Sequence, residues 1–221
     1  MREGDPLIRW DWLADHIDDI WMLALEHIWL TALAVSIGFA IAFCLSLVIA
    51  RERRAYPPIT AVTGVLYTIP SLALFAILVP FTGLSVLTAE IALVSYTLLI
   101  LVRNIVAGLD GVPSEVREAA DGMGYTPWRR LWSVELPLAL PVIIAGLRIA
   151  TVTTIGLVTV SALIGQGGLG RFIEDGLQRF FPTMYITGAV LSVILAVVAD
   201  GLFVALLRIA TPWSRARAGS G

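Results

Sequence analysis

Five runs of this 221-residue chain are long and apolar enough to cross a lipid bilayer, at roughly 27–50, 57–80, 84–108, 138–163 and 185–210. A hydrocarbon core about 30 Å thick takes about 20 apolar residues in helical form. Within it, every backbone N–H and C=O must be paired inside the protein. The expected fold class is therefore all-α integral membrane, with five transmembrane helices. Composition agrees: 58% of residues are hydrophobic and only 14% are charged, where soluble domains carry about 25% charge. The mean hydropathy is +0.87.

The polar residues are confined to the connections. Residues 1–26 carry Glu3, Asp5, Asp11, Asp15, Asp18 and Asp19 interleaved with Trp10, Trp12 and Trp21. That is the opposite of the basic start of a signal peptide, and it suits an interfacial segment with indoles at headgroup level. Arg51, Glu52, Arg53, Arg54 and Pro57-Pro58 separate the first two runs, and Thr82-Gly83 turns tightly between the second and third. A polar insert at 110–137, a Gly-rich loop at 164–184 and a short tail at 211–221 complete the connections. With the insert placed in the cytoplasm, that side holds ten arginines: Arg51, Arg53, Arg54, Arg103, Arg117, Arg129, Arg130, Arg208, Arg215 and Arg217. The other side holds four: Arg2, Arg9, Arg171 and Arg179. The positive-inside rule then puts the N-terminus outside and the C-terminus in the cytoplasm, which an odd number of spans requires.

No catalytic or metal-binding cluster stands out. Cys44 is the single cysteine, and His16 and His27 lack ligand-like spacing. Gly38, Gly64, Gly146, Gly156, Gly188 and Gly201 lie within the runs together with Pro70 and Pro141. Small residues allow close helix approach, and proline allows kinks at packed sites. Both a static bundle and one that changes shape fit this pattern.

The insert is the least membrane-like part of the chain. Pro113-Ser114 can start a helix with Ser114 as N-cap, and Val116, Ala120 and Met123 then share a face. Gly122 and Gly124 end it. Thr126-Pro127 opens a second helix with proline at its first position, flanked by Trp128, Leu131 and Trp132. The expectation is a helix–turn–helix across the cytoplasmic surface, with small Ala119 and Ala120 beside a glycine turn where a partner could approach.

Glu118, Ala119, Ala120, Gly124, Val134, Leu136 and Pro137 follow the spacing E-A-A-x3-G-x9-hydrophobic-x-L-P without a gap. This resembles the coupling motif of binding-protein-dependent ABC importer permeases. The resemblance implies the type I ABC importer permease fold, with Glu118, Ala119, Ala120, Gly122, Gly124, Leu136 and Pro137 coupling the chain to an ATPase. Tyr67-Thr68-Ile69-Pro70-Ser71-Leu72-Ala73-Leu74, Leu101-Val102-Arg103-Asn104, Gly146-Leu147-Arg148 and Ile164 through Gly170 are similar to the osmoprotectant branch, which handles glycine betaine, carnitine and choline. The implied partners are two ATPase subunits, a second permease, an extracytoplasmic substrate-binding protein and membrane lipid, and not nucleic acid.

Gly165-Gln166-Gly167-Gly168-Leu169-Gly170 also fits the dinucleotide fingerprint G-x-G-x-x-G. That motif needs a preceding strand within a βαβ unit, and here it follows an apolar helix. The loop glycines Gly165, Gly167, Gly168 and Gly170 are expected to form a flexible outer turn able to contact a docked receptor. The chain has no lysine and so no phosphate-loop lysine; it needs no cofactor of its own, and ATP would be bound by the partner ATPase.

Glu90, Arg148 and Asp200 fall inside the apolar runs. A charge at mid-membrane costs on the order of 2.5–3.5 kcal/mol on insertion scales, so all three should face protein. Arg148 and Asp200 each lie about ten residues from the inner end of their runs, at matching depth, and are expected to pair. Tyr67, Phe75 and Tyr96, with Pro70 and Ser71, are candidates for a translocation path, since aromatic faces attract quaternary amines. The expected function is the permease subunit of an ATP-driven importer of a compatible solute, glycine betaine, choline, carnitine or proline betaine. An importer of another small solute such as an amino acid, or a stand-alone channel or membrane enzyme, would share the apolar runs.

Overall fold

The computed structural model describes residues 7–211. Arg2, Glu3, Asp5, Arg215 and Arg217, which entered the charge pattern above, lie outside the described residues, as does the tail beyond residue 211. Among the described residues there is no strand.

A short helix α1 (Trp10–Asp15) leads into α2 (Ile17–Arg51). At 1.5 Å per residue, α2 is about 52 Å long, far more than a bilayer core needs. Its first residues, expected to belong to a separate interfacial segment, are therefore the end of the helix that projects past the membrane. Nor does α1 lie free on the surface. The Trp12 ring stacks on His16 at 4.3 Å and meets Phe172 and Phe181 edge-on at 5.7 and 5.4 Å.

The second apolar run departs most from expectation. It is not one straight span but two helices, α3 (Tyr56–Thr68) and α4 (Ser71–Thr82), bent by 94° across the break. Pro70 lacks an N–H and bars the helical conformation from the residue before it, and Ile69 is accordingly extended with ψ 127°. The break frees carbonyls at membrane depth. One is recaptured: the Tyr96 hydroxyl donates to Ile69 O at 2.5 Å.

Helix α5 (Val86–Asp110) is the axis of the bundle and packs against both α2 and α8 (Leu136–Val160). Ser85 caps it, accepting from the Thr88 N–H at 3.3 Å. Leu93 on α5 joins Leu30, Phe75 and Val158 in one apolar cluster, while Leu101 and Ile105 join Ala42, Ile49 and Ile143 in another. Two glycines set the separations. A Cβ on Gly38 would fall within 1.9 Å of Thr97 Oγ1, and one on Gly146 within 2.4 Å of the Asn104 Cβ. A Cβ on Gly64, Gly156 or Gly201 would meet nothing within 4 Å among the described residues, so no close contact there requires a glycine.

The stretch from α6 (Ser114–Gly122) through α7 (Pro127–Arg130) enters α8 by way of a π-helical turn, Leu131–Glu135. The second helix of the insert is thus no separate element: Pro127–Ile164 runs as one 38-residue helical body. The expected Gly-rich loop at 164–184 contains α9 (Gly170–Gln178), whose Phe172 is buried. Helix α10 (Pro182–Ala210) closes the fold. Its buried residues lie at its start, from Pro182 to Ser192, and Val193, Val197, Leu202 and Ile209 are exposed.

Because overpacking a tight contact costs about 1–3 kcal/mol, Gly146→Ala should lower the melting temperature of the detergent-purified protein. Gly64→Ala should not. Equal melting of both variants would show that the Asn104–Gly146 contact does not set the α5–α8 spacing.

Candidate coupling site and membrane-depth polar sites

The outer rim of the insert is open. Helix α6 begins at Ser114, with Pro113 rather than Ser114 in the cap position and no side-chain cap. It ends at Gly122. Gly124 has φ +79°, its N–H donates to Asp121 O at 2.9 Å, and the Tyr125 N–H donates to Ala120 O at 3.1 Å. This is a Schellman stop, whose left-handed residue favours glycine, so Gly124 is explained by the turn itself. Thr126 caps α7, accepting from the Arg129 N–H at 3.3 Å. Ala120 is buried, while Glu118, Ala119 and Gly122 are exposed. Met123 does not share the inward face expected for it; it follows the end of α6 and is 67% exposed. A Cβ on Gly122 would meet nothing within 4 Å, so the fold does not itself require a glycine there. The result is a small-residue rim with one acid and one flexible thioether, a shape that admits close contact by another surface. Leu136, at the start of α8, packs on the core, and Pro137 is exposed beside it.

The inner side of the insert is tied to the bundle by three arginines, a role that sequence spacing did not disclose. Arg117 Nη2 donates to Leu109 O at 2.5 Å, near the carboxyl end of α5. Arg53 meets Asp110 through two bonds of 2.9 and 2.5 Å. Arg130 donates from Nη1 to both Asp121 oxygens, at 2.7 and 2.6 Å, and from Nε to Glu135 at 2.7 Å. The three arginines, with Asp110, Glu135 and Ser46, wall a cavity of about 430 Å³ at the insert end of the bundle.

Among the path candidates, Tyr67 and Tyr96 meet at the α3–α4 break, with ring centroids 6.1 Å apart in an edge-to-face arrangement. Tyr67 is 40% exposed and Tyr96 is buried; Pro70 is exposed and Ser71 half-buried beside them. Phe75 does not belong with this group. It is 2% exposed and lies deeper in the apolar cluster that also holds the Tyr96 ring, because the sharp bend turns the first two turns of α4 back onto α5. Unlike Tyr67, it has no open face.

Arg148 and Asp200 form a bidentate pair between α8 and α10. The Nη2–Oδ2 bond is 2.8 Å, and Nε also donates to Oδ1. The two side chains remain 44% and 37% exposed on the surface of the isolated chain. Glu90, by contrast, faces the interior at 7% exposure, and neither of its oxygens has a hydrogen-bond partner among the described residues.

The glycine loop at the opposite end is packed, not flexible. Gly167, Gly168 and Gly170 are buried, and only Gly165 is exposed. The N–H groups of Gly167 and Gly168 both donate to Glu26 at 3.3 Å, and Arg171 grips the same carboxylate with two 2.8 Å bonds. Gly168 has φ +50°, and a Cβ there would lie 2.6 Å from His27. Those glycines let the loop press against α2, which removes the freedom expected of a receptor-contacting turn.

Set against known proteins, residues 34–209 match the profile of the family described as binding-protein-dependent transport system inner membrane component. The chain belongs to this family. The osmoprotectant import permease protein OsmW of Salmonella typhimurium is 39% identical over 206 residues, covering 91% of this chain and 96% of that protein. The choline transport system permease protein OpuBB of Bacillus subtilis is 38% identical over 187 residues, 85% of this chain and 86% of that one. Among solved structures, the inward-facing methionine ABC transporter MetNI superposes with a TM-score of 0.76 at 24% identity, over 86% of this chain and 97% of that one. An amino acid ABC transporter crystallised with histidines gives 0.76 at 18%, over 91% and 98%. At such identities the likeness is one of fold: the type I ABC importer permease fold. Family members are membrane transport components, and this one is a multi-pass membrane protein.

Removing one partner of the Arg148–Asp200 pair leaves a lone charge at membrane depth, which costs on the order of 2.5–3.5 kcal/mol on insertion scales. Arg148→Leu and Asp200→Leu should each reduce the amount of protein recovered from membranes, and the double variant should recover most of the loss. Equal losses in the single and double variants would show that the two charges do not depend on each other.

Proposed function

We propose that this chain is the permease subunit of an ATP-driven importer that carries a quaternary-amine osmoprotectant into the cell. The observation that carries the coupling half of this reading is the open rim of α6. Glu118, Ala119 and Gly122 face outward there, and nothing among the described residues fills the space before Gly122. Two copies of a separate ATPase would seat on two such rims, one from each of two permeases, and ATP would be bound in those subunits. Hydrolysis belongs to them, since this chain has no lysine with which to build a phosphate loop. A separate extracytoplasmic receptor would deliver solute to the end opposite the insert. The insert then lies in the cytoplasm and the start of α2 outside, as the excess of arginine at the insert end suggests. The cargo half rests on the relatives, whose names cite osmoprotectants, choline, carnitine and glycine betaine.

The broken second span supports a path beside Tyr67, Pro70 and Ser71. Irregular backbone at membrane depth is tolerated where it is buried in protein or lines a water-filled cavity, and the half-exposed Tyr67 ring offers a passing cation a face. Coupling needs the receptor and ATP to favour the same state of the bundle.

Reconstitution of the complete transporter in liposomes tests both halves. Glu118→Lys and Gly122→Trp alter the rim without touching an internal contact; each should abolish ATP-driven uptake while membrane insertion stays normal. Normal uptake by both would refute the docking role. In the unaltered transporter, excess glycine betaine or choline should compete with labelled solute and methionine should not. The reverse ranking would overturn the cargo assignment and leave the coupling assignment standing.

A further inference from the structure

One guanidinium joins two parts of the chain that share no backbone hydrogen bond among the described residues. Asp121 stands at the end of α6. Glu135 closes the π-turn at the root of α8. Arg130 lies between them, only 24% exposed, with Nη1 on both Asp121 oxygens and Nε on Glu135, whose side chain is 11% exposed.

The π-turn is what makes this arrangement available. Residues five apart lie about 140° around an α-helix from each other, so Arg130 and Glu135 would point away from one another in regular helix. In the π-turn the Leu136 N–H donates to Leu131 O, five residues back, and residues at that spacing come onto one side. Single π-turns inside α-helices are frequent at functional sites. Here the turn has a specific consequence: it brings a carboxylate under Arg130 while leaving the rest of the guanidinium free to reach α6. The link between α6 and α7 otherwise runs through Met123, Gly124 and Tyr125, a Schellman stop with a glycine at its centre, which acts as a hinge unless braced.

We infer that Arg130 is a positioning residue for energy coupling. It braces the hinge, so that a push received on the rim of α6 turns α8 as part of the same body. Without it α6 stays docked and tied to the end of α5 through Arg117, but it rocks about Gly124 relative to α8, and the push on α8 dissipates in the hinge. This inference rests on the reading of α6 as the ATPase seat and adds to it the part that transmits the motion. Helix α8 carries Arg148 at mid-membrane and runs on to the glycine loop at the opposite end, so a rigid α6–α8 body connects the insert to the far side of the bundle without any further link.

The test uses the complete transporter with its ATPase and receptor, and it reads solute carried per ATP hydrolysed. Arg130→Ala should lower that ratio by roughly tenfold, toward the low end of the range for coupling between sites, while the ATPase still co-purifies at the normal stoichiometry. Asp121→Asn, at an exposed position that leaves the Arg130–Glu135 bond in place, should lower it in the same direction with folding unaffected. Arg130→Lys keeps the charge but lacks the planar fork that spans two carboxylates, so it should fall between Arg130→Ala and the unaltered chain. An unchanged ratio in both Arg130→Ala and Asp121→Asn would overturn the inference. Loss of the ATPase from either variant would also overturn it, since the residue would then act in docking and not in transmission. Absence of ATPase from the unaltered complex would instead defeat the underlying reading of α6.

Discussion

The close seam that α5 makes with α2 and α8 is the contact on which the remainder of the molecule depends. Lipid tails are as apolar as leucine side chains, so burial alone does not hold helices together in a bilayer; close packing does. Gly38 against Thr97 and Gly146 against Asn104 bring the backbones to that distance. With the three helices set, their ends are set as well. The carboxyl end of α5 is where Arg53 and Arg117 bind, and the root of α8 is where Glu135 receives Arg130. The insert has a defined seat because the seam defines its floor.

The charged groups of the bundle fall into three kinds, of which Glu90, buried with no hydrogen-bond partner among the described residues, is one. Those at the two ends are bound within the chain: Glu26 by Arg171 and two backbone N–H groups, and Asp110 by Arg53. The Arg148–Asp200 pair neutralises itself but remains partly open on a face where α10 is otherwise apolar and bare. A charged pair is a poor neighbour for lipid, which suits the proposed second permease on that side.

Much of this was legible in the sequence, and the residues that were not share a cause. The apolar runs declare their length, Thr126-Pro127 declares a helix start, and the matching depths of Arg148 and Asp200 declared a pairing that the side chains make. Local chemistry decides each of these. Pro70 marked a kink, but its 94° size depends on where α4 can pack once α3 ends. The glycine loop read as flexible because its partner, Glu26, lies 145 residues before Arg171 in the chain. Phe75 read as a path residue because nothing in the sequence says which way a broken helix folds back. The π-turn was not anticipated: Leu131 through Glu135 continue a helical pattern, although Pro137, which has no N–H to give Ser133 O, interrupts the α-helical ladder directly after it.

The central claim is that the rim of α6 is where a separate ATPase takes hold. Cross-linking measures this directly. Cys44 is the single cysteine, so Cys44→Ala provides a cysteine-free background into which Ala119→Cys or Val197→Cys can be placed and labelled with a short photo-activated cross-linker in the assembled transporter. The account predicts that the probe at 119, on the rim, captures the ATPase, and that the probe at 197, on the exposed face of α10, does not. Capture of the ATPase from 197 with none from 119 would contradict it.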